Sequence, residues 1–438
     1  MNSLSEKISS DKAVIGLIGM GFIGLSLLEV FGDKGFPLVG FDVSASRVAM
    51  LKKAEAYYNF MPVQKMHGWI EKKQFTPSSD PAILDQADVI IISVPTSLDH
   101  HRLPDLTSLQ SAFKTAASHL KKGQLIVLQS TTYPSTTEKE FLPILEKTGL
   151  QVGKDFFLAY VPEISDPGNP KYSFTNVPRI VSGVTPACLK MVELLYKKIG
   201  CKIVPCPSPS VAEAAKILQN TYRLVNISLM NEMKIMFDRM GMDIWQVIES
   251  AAVKPFGFTP FYPGPGIGGD CIPVVPCYLS WKAQETDGPT SIMDLANTVN
   301  LSIPHYVVDK VIEALGKHKK GINGAKVLVL GVGYKKDVND LRESPSLKIL
   351  SLLKDKEADI YYNDPFVPSL PPLKAYPGLQ LHSAELNYAK LNYYDAVLIA
   401  TDHSAYDWKK IVENSHLIID THNVTAKIAD PGHKITKA

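Results

Sequence analysis

The run Ala13-Val14-Ile15-Gly16-Leu17-Ile18 passes directly into Gly19-Met20-Gly21-Phe22-Ile23-Gly24, and apolar residues then recur at helical spacing to Val30. A strand that is apolar throughout needs cover on both faces, as in a parallel sheet. Glycines at the turn from that strand into a helix narrow the fold further. The first makes the turn, the second admits a pyrophosphate, and the third lets helix and strand pack closely. Free N–H groups and the dipole at the helix N-terminus favour the phosphates. Gly19, Gly21, Phe22, Ile23 and Gly24 are thus a candidate dinucleotide site. A second strand, residues 37–41, ends on Asp42, whose carboxylate would accept ribose hydroxyls and repel a 2′-phosphate. That points to NAD rather than NADP, with Arg47 beside it.

Strand-like runs at 88–94, 124–129 and 156–160 each end on small or polar residues: Pro95-Thr96, Ser130-Thr131-Thr132 and Pro162-Glu163. In an open parallel sheet such strand ends line the ligand crevice. Pro95, Thr96 and Thr131 are therefore candidate cofactor contacts, and Glu163 a candidate base. Singly, each could cap a helix; the repetition at three successive strand ends favours function.

Residues 205–209 hold three prolines and read as a linker. Ser210-Val211-Ala212-Glu213 then has the form of a capping box. Apolar residues continue to Phe237, with Gly241 as the stop, so one helix of about 30 residues is expected, on the order of 45 Å long. It is too long for one domain's core, which suggests a bridge between domains and packing in a dimer. Lys216, Asn220 and Arg223 share one face at i, i+4 and i+7. Their apolar neighbours suggest a buried polar stripe, in which a lysine would hold an oxyanion or act as a base.

Residues 255–273 have neither helical nor strand period, yet are apolar, so an ordinary solvated loop is not expected. Glycines 264, 266, 268 and 269 allow close backbone approach, and five prolines stiffen the rest. A rigid pocket wall follows, ending at Cys271. A lone cysteine is more often an inert buried residue; one presented by a Gly-Gly turn is a candidate nucleophile.

A second strand-turn unit, residues 325–330 into Gly331-Val332-Gly333-Tyr334-Lys335-Lys336, lacks the third glycine and carries lysines instead. It suits a nucleotide phosphate better than a whole NAD. Runs at 359–362, 396–400 and 417–419 complete a second sheet. The expected fold is α/β, with two Rossmann-like parallel-sheet domains joined by a central helical domain with one long helix. The boundaries are 1–206, 207–312 and 313–438. A net charge of +2 over 438 residues gives no reason to expect nucleic acid or a membrane surface. Five cysteines without a Cys-x-x-Cys pair argue against disulfides and a metal site. Residues 1–12 are polar and unlike a signal peptide, so the cytoplasm is the expected location.

With these motifs in place, the chain resembles the UDP-glucose/GDP-mannose dehydrogenase family over nearly its whole length. These NAD-dependent enzymes oxidise C6 of a nucleotide sugar to a carboxylate. The matching stretches are the glycine fingerprint, Ser130-Thr131-Thr132-Tyr133-Pro134, Pro162-Glu163, Lys216 with Asn220, Gly268-Gly269-x-Cys271, Tyr334-Lys335-Lys336-Asp337 and Asp340-Leu341-Arg342-Glu343-Ser344-Pro345. The 261–269 wording and Asp166-Pro167-Gly168-Asn169-Pro170 are closer to the UDP-N-acetylglucosamine 6-dehydrogenase branch. The resemblance implies NAD on Gly19 to Gly24 and Asp42, with Thr96 and Thr131 beside the nicotinamide. It implies a UDP-sugar held by Glu163, Lys216, Asn220, Arg223, Phe256, Tyr262, Gly264, Gly268 and Lys335. Arg342 would reach the substrate of a neighbouring subunit in a homodimer. Cys271 would capture an aldehyde as a thiohemiacetal and pass through a thioester. Lys216 and Asn220 would stabilise the oxyanion, and Glu163 would handle the proton or water.

Four positions depart from the family pattern. Val275 stands where an Asp is usual, Asp270 where the branch often has His, Ile164 where Arg often follows Pro-Glu, and His422 where Arg is usual. Val275 cannot accept a hydrogen bond, and Asp270 sets a negative charge beside the thiol, or takes over the missing carboxylate's task. A nucleotide-sugar-binding homologue with impaired chemistry is the alternative reading. A two-electron hydroxy-acid dehydrogenase ranks last, since it leaves the second sheet and Cys271 without a task.

Overall fold

The structure is a computed structural model that describes residues 3–58, 61–99, 101–164, 169, 171–269 and 271–438. Asp270 and most of the 166–170 motif lie outside the described residues. The chain forms two compact units: Met1–Asn220 with Cys277–Gly288, and Thr221–Pro276 with Pro289–Ala438.

The first unit is built on an eight-stranded sheet. Its spatial order is Ile203–Pro205, Arg179–Gly183, Phe157–Tyr160, Leu125–Leu128, Val89–Ile92, Ile15–Ile18, Leu38–Phe41 and Phe75–Ser78. Every pairing is parallel except that of Phe157–Tyr160 with Arg179–Gly183. Successive side chains of a strand point to opposite faces, and here both faces are covered. Ile15, Leu17, Val89, Ile91, Leu125 and Val127 enter one core; Ile18, Ile90, Ile92, Ile126 and Leu128 enter the other. This explains why the strands read as unbroken apolar runs. The order reverses beside Ile15–Ile18, which places the turn after that strand at the switch point where such sheets bind ligands.

The second unit holds a five-stranded, wholly parallel sheet in the order Asp359–Asn363, Lys326–Leu330, Ala396–Ile399, Ile418–Asp420 and Ile435–Lys437. Where its first strand turns, the Asp364 carboxylate accepts the Val332 and Gly333 N–H groups at 2.7 and 3.1 Å. His403 is fully buried against it. The Asp337 N–H donates to His403 Nδ1, so Nε2 carries the proton and donates to Asp364 at 3.1 Å.

The expected long helix is Pro209–Arg239, with Gly241 at positive φ just beyond its end. Its start differs from the capping-box reading. Pro209 takes the first position, where its missing N–H costs nothing. Ser208 is then the cap, its hydroxyl accepting the Val211 N–H at 3.3 Å. Ser210 turns to Glu138 and Glu213 to a neighbouring turn. A second long helix, Ser291–Lys317, was not expected, because Pro304 lies inside it. A buried stripe of Ile303, Val307, Val308, Val311, Ala314 and Leu315 against the second sheet outweighs the lost backbone bond. Among the described residues no helix is long and apolar enough to cross a membrane.

Asp364→Ala leaves buried donors without an acceptor, which costs about 3–5 kcal/mol when a buried charged partner is removed. Urea denaturation is expected to show that loss in the second unit, with the stability of the first changed less than about 0.5 kcal/mol.

Candidate functional site

Two of the roles implied by the glycine spacing, the turn and the close packing, are visible in the structure. Gly19 lies at φ +90°, where a Cβ would stand 2.7 Å from the Ser93 carbonyl oxygen. A Cβ on Gly24 would overlap the Gly19 carbonyl oxygen, so the helix Phe22–Asp33 is seated directly on the turn. Gly21, the helix cap, has nothing within 4 Å of its Cβ position. With no side-chain cap, the first N–H groups of the helix, around Phe22 and Ile23, face that open space. These residues fit a dinucleotide pyrophosphate.

Asp42 is buried and already engaged. It accepts the Met20 N–H at 2.9 Å, the Ser44 N–H at 2.9 Å and the Arg47 guanidinium at 2.9 Å. Arg47 lies over the Tyr57 ring, whose hydroxyl donates to the Met20 carbonyl at 2.6 Å. Asp42 thus braces the turn. Tyr57 was missed by sequence reasoning, since nothing in its local pattern sets it apart.

At the neighbouring strand ends, Ser130 donates to the Val94 carbonyl at 2.7 Å, tying the segments that carry Thr96 and Thr131. Both threonines are half-buried and Pro95 is exposed. Glu163 is buried, pairs with Arg179 at 2.9 Å and accepts from the Gln129 amide at 2.7 Å. Arg179 is wholly buried, its guanidinium 3.5 Å from the centre of the Phe174 ring. The Tyr196 hydroxyl donates to Gln129 at 2.6 Å and completes the network. Arg179 gave no sequence signal, because a single arginine in an apolar strand reads as an edge position.

The long helix presents Lys216 and Asn220 at 6% and 4% exposure. Lys216 has no hydrogen bond or ion pair among the described residues, and Asn220 Nδ2 is buried without a partner. Buried donors normally find acceptors, so a pair left open one helical turn apart is suited to a ligand's negative oxygen. The polar stripe is shorter than expected: Arg223 shares the face but is exposed, as is Leu218. Upstream, the stripe includes Glu213. Its Oε1 accepts from the Thr137 N–H at 2.9 Å, the Thr137 hydroxyl at 2.6 Å and the Thr132 hydroxyl at 3.3 Å. Burial outweighs these bonds and pushes the Glu213 carboxyl up to about 7.

The other candidates lie in the second unit. The 255–273 loop is two things rather than one wall. Phe256 and Tyr262 are 71% and 50% exposed, whereas the chain is packed from Pro263 onward. The Gly264 N–H donates to Asn231 at 3.0 Å, the Ile267 N–H to Asn300 at 2.7 Å, and the Gly269 N–H to the Arg342 carbonyl at 2.9 Å. A Cβ on Gly268 would meet Tyr334 Cβ at 2.6 Å. The rigid half of the loop is therefore fastened to both long helices and to the second glycine turn. Cys271 follows it, half-buried. Val275 is buried and opens a helix, its N–H donating to the Cys271 carbonyl at 2.9 Å. Lys335 is half-buried on the glycine turn. Arg342 is exposed, and its Nε donates to both Asp340 carboxylate oxygens at 3.0 Å. The structure thus gathers the NAD candidates, Glu163, Lys216 and Asn220 in one unit. The loop, Cys271, Lys335 and Arg342 fall in the other.

Comparison with known proteins gives matches along the chain. Residues 13–200 match the NAD binding domain of the UDP-glucose/GDP-mannose dehydrogenase family, 210–302 its central domain and 328–427 its UDP binding domain. A UDP-N-acetyl-D-glucosamine 6-dehydrogenase of Pseudomonas aeruginosa is 32% identical over 418 residues, covering 93% of this chain and 96% of its own. Protein CapL of Staphylococcus aureus is 34% identical over 417 residues, covering 94% and 96%. The solved UDP-D-ManNAc dehydrogenase of Pyrococcus horikoshii superposes with a TM-score of 0.85 at 27% identity, covering 97% of this chain and 98% of its own.

The raised Glu213 carboxyl has a stability consequence whose sign is fixed. From 4.5 to about 7, the native state keeps a proton that the unfolded chain has released, so stability falls over that window and is level above it. At about 1.4 kcal/mol per unit, the effect is on the order of 3 kcal/mol. Glu213→Gln lacks this term, so the stability difference between variant and parent is expected to move by that amount in favour of Gln between about pH 4.5 and about pH 7. Denaturant titrations across that range check it.

Proposed function

The chain belongs to the UDP-glucose/GDP-mannose dehydrogenase family, and from that premise we propose that it oxidises C6 of a UDP-N-acetylhexosamine to the uronic acid through Cys271. It is an NAD-dependent oxidoreductase with that family's NAD and UDP binding domains. The observation that carries the proposal is the buried Lys216 and Asn220 one helical turn apart, Asn220 Nδ2 lacking a partner and Lys216 making no hydrogen bond or ion pair among the described residues. Pre-organised donors aimed at developing negative charge are worth most in a dry site. The hexosamine class rests on the relatives, whose names specify UDP-N-acetyl-glucosamine and -mannosamine.

NAD, when bound, supplies the hydride acceptor for two successive oxidations of C6. Gly19, Gly21 and Gly24 shape the pyrophosphate seat, and Asp42 faces the ribose. Cys271 adds its sulfur to the aldehyde carbon, giving a thiohemiacetal whose oxidation leaves a thioester; covalent capture keeps the aldehyde from escaping. Lys216 and Asn220 hold the oxygen as its charge grows. Glu163, kept in one rotamer by Arg179 and Gln129, directs water at the thioester. Lys335 holds the UDP phosphates. This work divides among segments 1–206, 207–312 and 313–438, in the cytoplasm where nucleotide sugars are made.

An apolar stripe on the long helix, Tyr222, Leu229 and Met236, is exposed, as are Met240 just beyond its end and Ile292 and Leu295 of the second long helix. Such a face suits a second copy of the chain, and Arg342 would act across that interface. Sedimentation is expected to show a dimer, and Leu229→Lys to shift it to monomer at least 10-fold in dissociation constant.

Val275 favours a second reading, in which the chain binds UDP-sugars with impaired chemistry, because an apolar side chain there orients no water. One assay separates the two: NADH formed per sugar consumed, with UDP-N-acetylglucosamine and its epimers. Two NADH per sugar is the expected result. UDP-sugar binding without NADH would establish the second reading. Cys271→Ser is expected to lower acid formation by about 10³-fold or more while NAD binding persists; unchanged turnover would remove the covalent route.

A further inference from the structure

The turn that carries Thr131 is held by unusual means. Ser135 sits at φ +73°, in the left-handed region that non-glycine residues seldom adopt. The turn then enters a π-helix, Thr137–Phe141, a form that is rare and concentrated at functional sites. One carboxylate oxygen of Glu213 takes three donors from residues 132 and 137 of this turn, and the Ser135 N–H also faces the carboxyl. Glu213 has no solvent exposure. An apolar residue would fill its place more cheaply, were the position only core. Glu213 lies on the long helix one turn before Lys216, about 4.5 Å along the axis, and two turns before Asn220.

We propose that Glu213 is a positioning residue: its buried carboxyl locks the Thr131 turn onto the helix that presents Lys216 and Asn220, fixing the cofactor-side threonine relative to the oxyanion donors. This rests on the reading of Thr131, Lys216 and Asn220 given above. Neighbouring contacts serve the same end. Ser210 of the helix donates to Glu138 and lies 3.1 Å from Ser135 Oγ. Tyr133 packs on Trp281 with ring centres 5.1 Å apart. Among the described residues, only Glu213 bonds from the helix to both sides of the strained residue, at 132 and at 137. The geometry needs an acceptor oxygen, not a charge, so a glutamine serves and an alanine does not.

The test compares the parent with Glu213→Gln, Glu213→Ala and Thr137→Val, the last removing one of the same bonds from the turn side. Hydrogen exchange is read over residues 130–137 in the free protein, and kcat and KM with NAD and UDP-N-acetylglucosamine. Glu213→Ala is expected to raise exchange in that segment about 10-fold or more and to lower kcat about 10- to 100-fold, as a misplacement near 1 Å would. KM values are expected within about 3-fold, and Glu213→Gln to restore both readouts. Thr137→Val, expected to fall between, decides the matter if Glu213→Ala does not fold. Unchanged exchange in Glu213→Ala overturns the proposal. So does faster exchange with parental kcat, or a loss of kcat and both KM values together that Gln does not rescue. If the parent makes no NADH from any UDP-sugar, the functional reading falls, and the exchange comparison still decides whether Glu213 holds the turn.

Discussion

Each sheet depends on one carboxylate at the end of a strand beside its glycine turn. Asp42 takes the N–H of Met20, and Asp364 takes those of Val332 and Gly333. Without these acceptors the turns would hold buried N–H groups with no partner, and neither could keep its shape. The two differ in their remaining partner. Asp42 meets Arg47, a half-exposed side chain that can yield to a ligand, whereas Asp364 meets His403 inside the core. The first turn is therefore braced by a partner near the surface, and the second by one inside the core.

The catalytic candidates follow a related division. Glu163 is fully committed to Arg179 and Gln129, so its orientation is set before any substrate arrives. Asn220 has a donor left over, and Lys216 makes no hydrogen bond or ion pair among the described residues. A carboxylate that must direct water benefits from being held, and donors that must receive charge benefit from being unspent. The packed half of the Gly-rich loop extends the first principle to backbone, with Asn231 and Asn300 spending their side chains on its N–H groups.

Much of this was readable in the chain, for physical reasons. Strands buried on both faces have an unmistakable composition, so five strands of the first sheet and four of the second were expected close to their observed places; Phe75–Ser78, Arg179–Gly183, Ile203–Pro205 and Ile435–Lys437, each short or carrying polar residues, were not. The glycine turn was legible because strand, turn and helix are contiguous. What escaped was non-local. Arg179, Tyr57 and the bonds of Glu213 depend on partners 16 to 81 residues away, and local pattern carries no trace of them. Pro304 hid a 27-residue helix because its penalty is local and its compensation, a buried stripe, is not. The first half of the Gly/Pro loop departs the other way: its apolar composition implies burial, yet Phe256 stands in solvent.

Gly24 carries a consequence for how this chain can change over generations. Its α-carbon leaves no room for a further heavy atom, because the Gly19 carbonyl occupies that space. Every one-nucleotide neighbour of a glycine codon that encodes a different amino acid adds at least a β-carbon. The position thus has no nearby tolerated variant through which inheritance could drift. It holds still by stereochemistry alone, and any lineage that altered it would have to rebuild the turn in the same step.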